Sequence, residues 1–127
     1  SSDVCSSDLD VFYNGLPLNR VLLTTLSALN NISKKHYYGV TILTDVLRGS
    51  SNKRILDAGL GKIPEYGKLS KISREDVSSI IGWLIDNKYI LQTKGQYPVL
   101  HPTYNGLHYN EKITRGQLEK LRSKLTE

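Results

Sequence analysis

Apolar side chains at Leu18, Val21, Leu22, Leu26 and Leu29 recur roughly every 3.6 residues, the spacing that lines one face of a helix. Pro17 suits the first turn of that helix, where no N–H is required, and Asn30–Asn31 are its expected stop. A polar, turn-like stretch, Lys34 to Gly39, leads through a short β-prone segment into a second helix, from about Thr41 to Leu47, halted at Gly49. Ser50, Ser51 and Asn52 offer capping side chains for a third, short helix beginning at Lys53. Gly59, Gly61, Pro64 and Gly67 then predict a loop.

The strongest pattern follows that loop. Val77, Ile80, Ile81, Leu84 and Ile85 form a full apolar stripe, with Ser73 as N-cap and Glu75 and Asp76 in the first turn, where the helix dipole favours negative charge. Trp83 lies beside that stripe, at a place where tryptophan usually packs on the edge of a core. Residues 89–93 and 96–100 read as two short strands around a Lys94–Gly95 turn, with Pro98 at an edge. Thr114 and Gln117 make a capping-box pattern before Leu118, Leu121 and Leu125. That last helix could dock on the domain, begin another, or fray.

Helix, short strand, helix, short helix, long helix and hairpin is the order of a winged helix, mainly α with a small β-hairpin. Residues 17–107 hold this single domain. Residues 10–16 are an unassigned lead-in, and 108–127 are a linker and C-terminal helix. The opening string, Ser1 to Leu9, resembles a translated sequencing-library adapter and is set aside as non-native. It contains the only cysteine, Cys5, and its presence suggests a chain cut from something longer.

A chain of 127 residues can bury one core but cannot hold a motor as well. No apolar run approaches the roughly 20 residues of a membrane span, and no secretory signal opens the chain, so the reading is intracellular. The net charge is +5, and it rises to +7 (17 basic against 10 acidic) once Asp3 and Asp8 are set aside. Between residues 48 and 74, seven Lys and Arg face only Asp57 and Glu65. Such a cluster concentrates polyanions, although a merely solvated surface would look the same.

Catalytic chemistry is not predicted. Gly59-Leu60-Gly61-Lys62-Ile63 has neither the spacing nor the hydroxyl of a phosphate-cradling loop. His36, His101 and His108 lack partners at metal-ligand spacing, so no metal site and no cofactor are expected within this fragment.

Asp45-Val46-Leu47-Arg48-Gly49-Ser50, followed by Asn52-Lys53-Arg54, resembles the signature of the RQC domain of RecQ-family DNA helicases. Tyr66-Gly67, the Ser73-Arg74-Glu75-Asp76 helix start, Leu84 to Ile90, Tyr97 to Leu100, and Thr103 with Gly106 follow in register over roughly residues 18–107. Pro102 departs from the aliphatic residue common there, which suggests a last wing strand that ends early. The resemblance implies a DNA-binding accessory domain of a 3′–5′ ATP-dependent helicase acting in replication, recombination and repair. Its motor, upstream in the same chain, would use ATP and magnesium, and a four-cysteine zinc module would precede the winged helix. It would work in the bacterial cytoplasm, at the nucleoid, on duplex or fork DNA. Asp3-Val4-Cys5 resembles the last zinc ligand only superficially, since the adapter reading covers the whole string.

By resemblance, Arg48, Ser50 and Arg54 are backbone-contacting positions. The local chemistry adds Gly49, Asn52 and Lys53, because a bend centred on Gly49 and a helix start whose free N–H groups point outward, among hydroxyls and cations, suit phosphate. The alternative is that Arg48 pairs with Asp45 and Ser50 only caps. Lys71, Ser73 and Arg74 form a second candidate anchor. Lys94, Gly95, Gln96 and Tyr97 form the wing tip, where Tyr97 either stacks on a terminal base pair or is buried in strand pairing. Two other readings stay open, a winged-helix transcription regulator and a protein-interaction module. Ser78, Ser79, Gly82 and Asp86, the exposed positions of the long helix, carry no array for reading base edges.

Overall fold

The computed structural model describes residues 11–125. The set-aside segment, with Cys5, lies outside them. The chain opens on a tight hairpin, β1 (Phe12–Tyr13) paired antiparallel with β2 (Leu16–Pro17). Asn14 and Gly15 both have positive φ, 57° and 80°, the conformation a two-residue hairpin turn demands. This element occupies the stretch that sequence patterning left unassigned. It is packed inward: Val11 and Tyr13 are buried, and the Tyr13 hydroxyl donates to the buried Asp76 carboxylate.

Helix α1 (Leu18–Ile32) buries Leu18, Val21, Leu22, Leu26 and Leu29 as its spacing dictates. It runs past the expected Asn30–Asn31 stop, because Ile32 adds a further core contact and the Asn31 amide donates to Glu65, 2.7 Å away. Helix α2 (Val40–Arg48) ends at Gly49 in the left-handed region (φ 73°), and α3 (Lys53–Ala58) begins on Asn52, whose side chain accepts from the Arg54 amide. The expected loop after α3 contains one 3-10 turn at Leu60–Lys62. Helix α4 (Arg74–Asp86) starts on Ser73, whose hydroxyl accepts from the Asp76 amide at 3.3 Å. Ser73→Ala is expected to cost about 1 kcal/mol, the usual worth of such a cap, read from the urea midpoint.

The wing is β3 (Ile90–Gln92) antiparallel to β4 (Leu100–Pro102), in the register Ile90↔Pro102, Leu91↔His101 and Gln92↔Leu100. The second strand therefore lies later than the predicted 96–100. Pro98 has no N–H for a ladder, and a seven-residue loop, 93–99, replaces the expected Lys94–Gly95 turn. Thr93 closes that loop: its amide donates to the Val99 carbonyl, and its hydroxyl accepts from the Val99 amide, both at 3.0 Å. The β-prone stretch before α2 forms no strand. It contributes one link, Leu100 N–H to the Tyr38 carbonyl at 2.8 Å.

Two four-residue helices, α5 (Tyr104–Leu107) and α6 (Tyr109–Lys112), lead to α7 (Arg115–Lys124). Thr114 caps α7 by accepting from the Gln117 amide, while the Gln117 side chain turns away to accept from the Tyr89 hydroxyl. Leu118 and Leu121 are fully buried and Leu125 nearly so, which settles the tail as docked. α1, α2, α4 and α7 thus share one apolar core. Trp83 joins it, 4% exposed and stacked with Tyr89 at 6.2 Å, and Tyr89 in turn meets Tyr109 edge-on. Burial pushes the Tyr109 hydroxyl far above tyrosine's ordinary range, with the nearby Tyr89 adding to it. The Tyr89 hydroxyl is raised by burial and partly lowered by Gln117. A helical core with an antiparallel two-stranded wing is a winged helix.

Candidate nucleic-acid interface

The bend between α2 and α3 is held from below. The Gly67 amide donates to the Val46 carbonyl and the Leu69 amide to the Leu47 carbonyl, both at 2.9 Å, and the Tyr66 hydroxyl donates to the Ser50 carbonyl. A Cβ on Gly49 would stand 3.1 Å from the Gly67 Cα, so glycine is required both by its left-handed φ and by this close approach. The bend does not turn all its amides outward, as the sequence suggested. Gly49 N–H donates to Val46 and Ser50 N–H to Asp45, closing the end of α2. The amides of Ser51, Asn52 and Lys53 make no hydrogen bond among the described residues.

Arg48 is exposed and does not pair with Asp45. Its Nε donates to the Ile72 carbonyl at 3.1 Å, which leaves both terminal guanidinium nitrogens without a partner among the described residues. Asp45 instead faces Arg74 at 3.9 Å, a contact loose enough to leave the Arg74 side chain 60% exposed. Two anchors that looked separate in sequence are therefore one surface: Arg48 reaches the residue between Lys71 and Ser73, and Arg74 reaches back to α2. Lys71 is exposed at its edge, with its carbonyl holding the Asn14 amide at 3.0 Å. Ser73 serves as the cap of α4.

The other end of the surface meets the wing. Arg54 is exposed, its guanidinium has no partner among the described residues, and it lines a cavity of about 340 Å³ together with Gln96 and Tyr97. Lys94, Gly95, Gln96 and Tyr97 are all exposed, and Tyr97 at 82% is neither buried nor strand-paired. Of the two acidic residues in the basic stretch, Glu65 is held by Ser27 and Asn31, and Asp57 is exposed. Lys71, Arg74 and Arg48 thus form one surface, from which the chain leads past the open amides at 51–53 to Arg54 beside the wing tip, a basic track along the fold.

The profile of the RQC domain matches residues 20–125. This chain belongs to the RQC domain family. The chain is also 31% identical over 91 residues to the "ATP-dependent DNA helicase RecQ" of Bacillus subtilis (strain 168), an alignment covering 72% of this chain and 15% of that protein. The chain therefore spans only a small part of the length of the relative it matches.

Within this RQC domain, the exposed side of α4 shows Ser78, Ser79 and Asp86, with Asp86 4.0 Å from Lys124 of α7. That face offers no fork of donors for base edges. The described residues contain no group of three or more His, Cys, Asp or Glu side chains that could hold a metal. None of the described helices is long and apolar enough to cross a membrane. Sequence reasoning missed one pair beside the track: the Tyr37 ring lies on that of His101 at 3.9 Å, although 64 positions separate them. Adjacent Tyr37 and Tyr38 signalled that one would face outward; Tyr37 does, half exposed. Its partner depended on the wing register.

Proposed function

We propose that this RQC domain is the DNA-holding accessory module of a RecQ-type, 3′–5′ ATP-dependent DNA helicase. The observation that carries the reading is the joining of Arg48, Lys71 and Arg74 on one basic surface. Arg48 and Arg54 flank a rigid bend whose open amides lie between them, and Lys71 and Arg74 extend the same surface through the Arg48–Ile72 contact. Guanidinium groups and backbone amides bind phosphate oxygens without regard to base, which suits a protein that must hold any duplex next to a fork. Ser50 keeps its hydroxyl for such a contact, and Lys53 adds charge at the helix start. At the wing, the exposed Tyr97 would stack on the terminal base pair.

The domain supplies grip, not chemistry. A motor upstream in a longer chain would translocate with ATP and magnesium, a zinc module would join the two, and the whole would act in replication, recombination and repair at the bacterial nucleoid. The 15% of the Bacillus subtilis relative's length that this chain covers supports that arrangement.

Fluorescence anisotropy with several blunt duplexes of unrelated sequence tests the reading. Arg48→Ala is expected to weaken every duplex alike, by about tenfold, the worth of one charge-assisted hydrogen bond. One duplex bound far more tightly than the rest would indicate a sequence-reading regulator. Affinity unchanged by Arg48→Ala would indicate a surface without a DNA role.

A further inference from the structure

We propose that the groove between the wing loop and the start of α2 takes an unpaired nucleotide of single-stranded DNA, its base on Tyr37 and its phosphate on Arg54. This rests on the DNA-binding reading above and extends it from the duplex to the strand leaving it. Arg54, the track's cation beside the wing loop, holds the phosphate at the junction when a single strand is present and a duplex phosphate when it is not. The cavity, about 340 Å³, is lined by Tyr37, Tyr38 and Gly39 on one side, by Gln96, Tyr97 and Pro98 on the other, and by Arg54. That size lies within the range of small-molecule sites.

Three observations give the groove its occupant. Its walls are fixed: the Tyr38 carbonyl is bonded to the Leu100 amide, and Gly39 lies so close to the Pro98 carbonyl that a Cβ there would stand 2.9 Å from it. The Tyr37 ring is braced by His101 at 3.9 Å yet remains 50% exposed, so one aromatic surface is held in place and open. Arg54 stands at the groove with no partner for its guanidinium among the described residues. A braced ring beside a free cation matches a base beside its phosphate. Bases inside a duplex already have both faces covered, and the terminal pair is the one assigned to Tyr97, so the base left for Tyr37 is an unpaired one. Asp57, one helical turn on from Arg54, lines an adjoining cavity with Arg54, His36, Tyr38 and Ile42 and is not among the residues lining the groove itself.

The test uses the chain as it stands, with Tyr37→Ala and Tyr37→Phe, against single-stranded oligothymidylate, oligouridylate and a blunt duplex. Tyr37→Ala is expected to lose roughly 5- to 150-fold in affinity for oligothymidylate, the loss of one stacked base. Tyr37→Phe, which keeps the ring, should retain it, and blunt-duplex affinity should stay the same in both. Unchanged oligothymidylate binding in Tyr37→Ala would overturn the proposal, as would an equal loss on the duplex. Tighter binding of oligouridylate than of oligothymidylate would overturn the assignment to DNA. Arg48→Ala tests the duplex surface separately: if it leaves duplex binding intact while Tyr37→Ala still loses the single strand, the grip reading fails and the groove stands.

Discussion

Gly106→Ala is expected to destabilise this RQC domain by about 3 kcal/mol, the upper end of what overpacking costs. The reason lies in how α5 meets the wing. Thr103 caps α5 by accepting from the Gly106 amide at 3.1 Å, while its own hydroxyl lies 2.8 Å from the Lys88 carbonyl and 2.9 Å from that of Tyr89. This pins the helix directly on the backbone entering β3. A Cβ at position 106 would fall far inside van der Waals contact with the Tyr89 carbonyl oxygen, and within 3.4 Å of the Leu26 side chain. The obstacle is backbone, so no rotamer change relieves it. Thermal denaturation followed by circular dichroism should show a drop on the order of 10 °C. Gly82→Ala is the control: its Cβ would meet nothing within 4 Å, and it sits mid-helix in α4, so it should raise stability by up to about 1 kcal/mol. A Gly106→Ala variant as stable as the parent would refute this packing.

Helices with a full apolar stripe were legible from sequence because their burial is set by local period. α1 follows it residue by residue and α4 does so as far as Leu84, with Ile85 only partly buried, and the caps at Asn52, Ser73 and Thr114 each accept the amide their position implies. What was not legible depends on contacts between distant segments. The wing register is fixed by Thr93 and Val99 closing a seven-residue loop and by the Tyr38–Leu100 link, none of which has a periodic signature. The end of α1 was extended by Ile32 reaching the core. The first hairpin did leave a signal, Asn14–Gly15, but its flanking strands are two residues each, too short to alternate.

The candidate site divides in the same way. Gly49, the two arginines and the cap could be named from their order along the chain. That Arg48 would turn to Ile72 and Arg74 to Asp45, merging two anchors into one track, could not, since α2 and α4 meet only in the folded core. The amides of Gly49 and Ser50 do not face outward, as the local chemistry predicts, because the left-handed turn that ends α2 uses both.

Binding of this domain to duplex DNA should weaken about 150-fold between 50 and 200 mM salt. Arg48, Lys53, Arg54 and Lys71 are exposed cations along the track. If each neutralises one phosphate, the logarithm of affinity falls against the logarithm of salt with a slope of about −3.6, through release of condensed counterions. Buried apolar contact would give almost no slope. The amides at 51–53 add hydrogen bonds but release no counterions, so they raise affinity without steepening it. Titrations at four or five salt concentrations on one duplex are sufficient to read the slope.

The proposed function requires the bend carrying Arg48 and Arg54 to hold DNA by its phosphates. The most direct measurement is the salt slope of the Arg48→Ala, Arg54→Ala double variant on the same duplex, beside that of the parent. Removing two phosphate contacts should bring the slope to about −1.8. A slope equal to the parent's would mean that these two side chains never touch the sugar–phosphate backbone.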